Sequence, residues 1–126
     1  MTEKKSILLV DDNEADNVYH SIIIRRCELV AGIVAMESGT AALHYLQQVS
    51  KVWPNLILVD INMPGMDGLE FIRQLETLTP PAFCKVALLT SSDAERDRDR
   101  ASKLPRICAY VIKPLSLPSL VQLLVE

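Results

Sequence analysis

Two hydrophobic rhythms alternate along this chain, and the changeovers fall at acids, glycines and prolines. Ser6 to Val10 is a short continuous apolar run, the pattern of a strand covered on both faces, and it stops at Asp11-Asp12. From Asn13 onward Ala15, Tyr19, Ile22, Ile23 and Cys27 recur at roughly helical spacing, which predicts a helix starting directly after the two acids. Gly32 to Met36 is a second apolar run. Ser38-Gly39 then precedes Ala42, Leu43, Leu46 and Val49, spaced by three and four, and Trp53-Pro54 ends that helix because the residue before a proline is pushed out of the helical region. A third strand, Leu56 to Val59, ends in Asp60. Behind it come a Pro64-Gly65 turn, Asp67-Gly68 and a helix with Leu69, Ile72, Leu75 and, at its end, Leu78 on the apolar stripe, broken by Thr79-Pro80-Pro81. Lys85 to Thr90 reads as a fourth strand, with Ser91, Ser92 and Asp93 as N-cap candidates for the next helix. Ile107 to Ile112 reads as the fifth, closed by Lys113-Pro114. Ser116 caps a last helix with Leu120, Val121 and Leu124 inward and Pro118 in its first turn.

Strands alternating with helices through short loops predict an all-parallel sheet with right-handed crossovers and helices on both faces. The compact solution is an α/β, flavodoxin-like (βα)5 doubly wound sheet with strand order 2-1-3-4-5. Its binding position is the carboxyl end of strands one and three, where the strand order reverses. Asp11-Asp12 and Asp60 occupy those two ends.

At 126 residues, the chain is read as one domain over 1–126 with material for a single covered core. A net charge of -3 argues against nonspecific nucleic-acid binding, which needs a basic face, and leaves a protein or small ligand as partner. Cys27, Cys84 and Cys108 are odd in number, far apart and in apolar contexts, as expected of buried reduced thiols in a cytosol. The four-residue apolar run behind the charged N-terminus is neither a signal peptide nor a membrane span.

Three carboxylates converging at a sheet end repel one another, and each is costly to desolvate without a cation among them. Oxygen-only ligands select a hard ion, and magnesium fits best, since it keeps waters and bridges carboxylates to phosphoryl groups. Thr90 and Lys113, at the ends of strands four and five, add a hydroxyl and a compact ammonium. Together they make a site for phosphoryl transfer to Asp60.

With Asp11-Asp12, Asp60 in Asp-Ile-Asn-Met-Pro-Gly-Met-Asp-Gly, Thr90 and Lys113-Pro114 each at a strand end, the chain resembles a response-regulator receiver domain, the CheY-like phosphoacceptor module of two-component signalling. The resemblance covers essentially the whole chain. It implies a signalling phosphoacceptor rather than an enzyme: Asp60 takes a phosphoryl group from a sensor histidine kinase or histidine phosphotransfer protein. Asp12, Asp60 and the backbone carbonyl of Asn62 hold Mg2+ directly, and Asp11 acts mainly through water. Lys113 binds one phosphoryl oxygen, Thr90 swings its hydroxyl onto another, and Tyr110 rotates inward behind it. The Lys113-Pro114 bond is expected to be cis. A stand-alone cytoplasmic receiver is implied, switching contact with a downstream protein through helix four, strand five and helix five, with no role for nucleic acid or membrane. On that surface Arg96, Arg100 and Arg106 are candidates for partner contact.

Plainer readings compete with parts of this. Asp11-Asp12 alone could be a helix cap favoured by the dipole. Asp12, Glu14 and Asp16 alternate like a calcium loop, but the glycine and closing glutamate of that loop are missing. His20 and His44 read as surface or boundary residues, and Asp93 to Arg100 as a solvated helix face with mixed ion pairs. The chain departs from common receivers in Lys103-Leu104-Pro105-Arg106 ahead of strand five and in Leu115 after the Lys-Pro pair. Rival functions are a constitutive interaction module without phosphorylation, an aspartyl-phosphate hydrolase, and a flavodoxin-type carrier, whose flavin phosphate the two acids after strand one would repel.

Overall fold

A computed structural model describes residues 3–48, 52–91 and 95–125. Its elements are β1 (Lys5–Val10), α1 (Glu14–Arg25), β2 (Val30–Met36), α2 (Gly39–Gln48), β3 (Leu56–Val59), α3 (Gly68–Glu76), β4 (Lys85–Thr90), α4 (Glu95–Ala101), β5 (Ile107–Ile112) and α5 (Leu117–Val125). The five strands form one parallel sheet in the order β2-β1-β3-β4-β5, the flavodoxin-like arrangement expected from the alternation. Val49, expected on the α2 stripe, and Ser92 and Asp93, expected to cap α4, lie outside the described residues, as does the Arg96 side chain.

The three inner strands carry unbroken apolar runs, Ile7–Val10, Leu56–Val59 and Val86–Leu89, because both faces are covered there. Leu8, Val10, Ile57, Val59, Val86 and Leu88 point to one side, against Leu43 and Leu46 of α2, Leu69, Ile72 and Leu75 of α3 and Ala101 of α4. Ile7, Leu9, Leu56, Leu58, Ala87 and Leu89 point to the other, against Ile24 of α1 and Leu120 and Leu124 of α5. Period-two alternation within each strand thus feeds two core layers and leaves the carboxyl ends open for chemistry.

Several inward positions differ from the pattern's expectation. In α1 the buried face carries Asn17, His20, Ser21 and Ile24, while Tyr19 and Ile22 are 48% and 46% exposed. His20 is buried, not a surface residue, because its Nε2 accepts the backbone N–H of Leu115 at 3.2 Å. Val121 lies largely outside the core, which α5 joins through Leu120 and Leu124. Cys108 is exposed on the edge strand β5, whereas Cys27 and Cys84 are buried as expected. Within the α4 charge run, Asp97 is buried rather than solvated.

Local signals close the elements where the sequence marks them. Asn13 caps α1 by accepting Asp16 N–H at 3.0 Å, Asp67 caps α3 through Glu70 N–H at 2.8 Å, and Ser116 accepts Ser119 N–H at 3.2 Å. Gly65 takes the left-handed φ of +79° that the turn after Pro64 requires. The unusual Leu104-Pro105-Arg106 stretch is held by Ile107 N–H donating to Leu104 carbonyl at 3.1 Å and by the Arg106 side chain.

Candidate functional site

β1 and β3 run side by side, with Val10 beside Val59, so Asp11 and Asp60 leave the sheet at the same level. The Asp60 N–H donates to Val10 carbonyl at 3.0 Å, and the Asp11 N–H to Met36 carbonyl at 3.0 Å, which fixes both backbones. One carboxylate oxygen from each of Asp11, Asp12 and Asp60 lies within 4.8 Å of the others. Asp11 and Asp60 are buried, and Asp12 is exposed at the mouth.

Lys113 reaches this cluster from the end of β5. Its Nζ lies 2.7 Å from Asp11 Oδ2, 2.7 Å from Asp16 Oδ2 and 3.4 Å from Asp60 Oδ2. Its backbone N–H donates to the Thr90 carbonyl at 2.7 Å, tying the ends of β4 and β5 together, and the Lys113-Pro114 bond is cis, as expected. Thr90 is fully buried at its strand end. On the other side of Asp60, the Asn62 N–H donates to Asp60 Oδ1 at 3.2 Å. An open cleft of about 1070 Å³ runs past Asp12, Asp60, Asn62 and Lys113.

The charges are arranged against full ionisation. Burial pushes the Asp60 carboxyl up to about 6, opposed by Lys113 and reinforced by the negative charge of Asp11. Burial works against the Lys113 ammonium too, but hydrogen bonds to Asp11 and Asp16 and the charge of Asp60 hold it well above the ordinary lysine range. His20, beneath Lys113, is held below its usual value by burial and by the Lys113 charge. Asp11, Asp12 and Asp60 form a hard-oxygen set whose negative charge the single Lys113 ammonium, in contact with Asp11 and Asp60, does not balance, which suits a divalent cation.

The fold brings Asp11, Asp12, Asp60, Asn62 and Lys113 together, with Thr90 tied to Lys113 through its backbone carbonyl. Tyr110 lies away from the cleft, packed on the α4 side with the Arg98 guanidinium 4.5 Å from its ring centroid. Asp16, named from the sequence only in a rejected calcium-loop pattern, joins the site through Lys113. Its place four residues after Asp12, on the first turn of a helix that starts at the site, was the available signal.

Two of the three arginines expected to face a partner are engaged within the chain. Arg100 pairs with Asp67 Oδ2 at 3.1 Å. Arg106 grips Glu76 at 2.6 and 3.2 Å and donates to the carbonyls of Pro80, Pro81 and Cys84.

Among known proteins, the family described as "Response regulator receiver domain" matches residues 7–125. Response regulator Rcp1 of Synechocystis sp. is 31% identical over 120 residues, spanning 92% of this chain and 81% of its own. A crystal structure of a two component response regulator from Cytophaga hutchinsonii is 35% identical, covers 96% of this chain and 94% of that one, and superposes with a TM-score of 0.88. A crystal structure titled as the Mn(2+)-bound form of response regulator Rcp1 is 29% identical, covers 95% and 88%, and gives a TM-score of 0.72. Among the described residues, no helix is long and apolar enough to cross a membrane.

Proposed function

Because the chain belongs to the response regulator receiver domain family, we propose that Asp60 is the phosphoacceptor of a two-component or phosphorelay pathway. The observation that carries this reading is the convergence of Asp11, Asp12 and Asp60 within 4.8 Å, with the Lys113 ammonium 3.4 Å from the Asp60 carboxylate. An oxygen of Asp60 attacks the phosphorus of a phosphohistidine on a sensor kinase or phosphotransfer protein. The P–N bond breaks with its electron pair going to the imidazole, and an acyl phosphate forms on Asp60. Lys113 binds one phosphoryl oxygen and Thr90 a second through its hydroxyl. The Asn62 N–H, already on Asp60 Oδ1, holds the carboxylate while its other oxygen reacts.

Magnesium is the cation we assign to the site, held by Asp12, Asp60 and the Asn62 carbonyl, with Asp11 acting through water. When bound, it neutralises negative charge on the carboxylates and the phosphoryl oxygens. The hard-oxygen donor set supports this, as does the Mn(2+)-bound state named for the Rcp1 structure. The output is protein contact through α4, β5 and α5, with Tyr110 and the Arg98 stacked on it as the switching pair. We place the protein in the cytoplasm, where a kinase output domain would meet it.

The test is to incubate the protein with magnesium and acetyl phosphate and follow intact mass, with Asp60→Asn alongside. Addition of one phosphoryl group that needs magnesium and disappears in Asp60→Asn is the expected result. A magnesium-independent adduct, or one that survives Asp60→Asn, rejects the assignment.

A further inference from the structure

The Lys113 ammonium has three protons and three carboxylates around it, and they do not share it equally. Asp11 and Asp16 stand at 2.7 Å, whereas Asp60 stands at 3.4 Å. The two near partners are held differently. Asp11 is buried, its Oδ1 accepts the Asn13 N–H at 3.0 Å, and its carbonyl accepts Asn17 Nδ2 at 2.7 Å, so it has little freedom to leave. Asp16 sits in the first turn of α1 with its side chain 37% exposed, and among the described residues Lys113 is the one hydrogen-bond partner of its carboxylate.

We propose that Asp16 is a positioning residue that competes with the phosphoryl group on Asp60 for Lys113. In the unphosphorylated protein it takes one of the three ammonium protons and holds the side chain against α1. A phosphoryl oxygen on Asp60 needs such a proton, and the contact given up is the one to Asp16, because that carboxylate alone can rotate into water. Its negative charge also opposes the arriving phosphoryl charge. Both effects have the same sign: Asp16 loosens the hold of the site on a phosphoryl group and favours the unphosphorylated arrangement. This inference rests on Asp60 being the phosphoacceptor.

The experiment titrates beryllofluoride, a phosphoryl stand-in, into the full chain at fixed magnesium and reads affinity by calorimetry or by the fluorine resonance of the bound form. Asp16→Asn and Asp16→Ala are expected to bind about 3- to 10-fold more tightly than the wild type, the range for losing one partly exposed charged competitor. Asp16→Glu keeps the charge within reach of Lys113 and is expected to restore affinity to within about 2-fold of wild type. A purely structural role for Asp16 would alter the melting temperature of the unliganded protein and leave this order of affinities unmoved. Unchanged or weaker binding in both neutral variants overturns the inference, as does tightening by Asp16→Glu equal to that of Asp16→Asn. Failure of the wild type to take up beryllofluoride, or uptake that survives Asp60→Asn, overturns the phosphoacceptor reading itself and this inference with it.

Discussion

Gly68 packs directly on the backbone of Asp60, so closely that a Cβ there would overlap the Asp60 carbonyl oxygen and stand 3.0 Å from Ile61 Cα. The Gly68 N–H meanwhile donates to Ile61 carbonyl at 2.9 Å, so the start of α3 is pinned to the residue after Asp60. Backbone does not yield as a flexible side-chain tip would. Gly68→Ala is therefore expected to destabilise the protein by about 2 kcal/mol or more, the cost of forcing atoms into a filled space. Gly32→Ala meets nothing within 4 Å and should change stability by less than about 1 kcal/mol. Urea unfolding of the two variants checks this, and equal midpoints would refute the packing argument.

Burial raises the Asp60 carboxyl from an ordinary 3.8 to about 6, against the pull of Lys113. The folded state therefore binds that proton more tightly than the unfolded chain does. Its contribution to stability is complete below pH 3.8 and is lost as pH rises through about 6. Without metal, Asp60→Asn should accordingly be more stable than the wild type above about pH 7, by on the order of 1–2 kcal/mol, and should lack this part of the pH slope. Saturating magnesium should flatten the same slope in the wild type, since a cation favours the ionised carboxylate. Thermal melts in chelator and in magnesium across this window decide it. A wild type more stable than Asp60→Asn at neutral pH in chelator would contradict the assigned cause.

The inner strands are legible because a strand covered on both faces is an unbroken apolar run, and Ile7–Val10, Leu56–Val59 and Val86–Leu89 are such runs. Their ends mark Asp11, Asp60 and Thr90 without further information. The inward face of α1 is not legible by the same count, because Asn17 and His20 are buried for their hydrogen bonds, to Asp11 carbonyl and from Leu115 N–H. Periodicity weighs hydrophobicity and does not register a polar group held by a hydrogen bond to backbone or to a charged side chain outside its own helix. The pairing of Asp16 escaped for the same reason: its partner, Lys113, is 97 residues away. Arg100 and Arg106 read as surface charges until the loop after β3 and the last turn of α3 supply Asp67 and Glu76.

Arg106 joins the segment before β5 to the end of α3 and to the prolines that follow it. Its guanidinium makes a forked pair with Glu76 and also takes the carbonyls of Pro81 at 3.1 Å and Cys84 at 3.0 Å. Removing Glu76 loses one half-exposed charge partner, whereas removing Arg106 strips donors from partly buried carbonyls as well. Arg106→Ala should cost about 2–3 kcal/mol and Glu76→Ala about 1 kcal/mol or less. Arg106→Lys should recover little, because a single ammonium does not reproduce the planar fork. Denaturant midpoints of the three variants supply the comparison, and equal losses for Arg106→Ala and Glu76→Ala would show that the carbonyl contacts contribute nothing.

Asp67 serves two elements at once. Its Oδ1 caps α3 through Glu70 N–H at 2.8 Å, and its Oδ2 takes Arg100 of α4 at 3.1 Å. Asp67 is thereby a joint between the loop that follows Asp60 and α4, the helix proposed for the output face. Burial works to raise its carboxyl, but the Glu70 N–H and the Arg100 guanidinium outweigh it and hold the group below the usual value. Asp67→Asn keeps a capping oxygen and loses the charge, so it should cost about as much as Arg100→Ala, within roughly 1 kcal/mol of wild type. Asp67→Ala loses both contacts and should cost about 1–2 kcal/mol. If the joint couples the site to α4, Asp67→Asn and Arg100→Ala should also produce the same change in amide exchange of α4 on addition of beryllofluoride. Exchange responses in α4 identical to wild type in both variants would leave Asp67 as a cap alone.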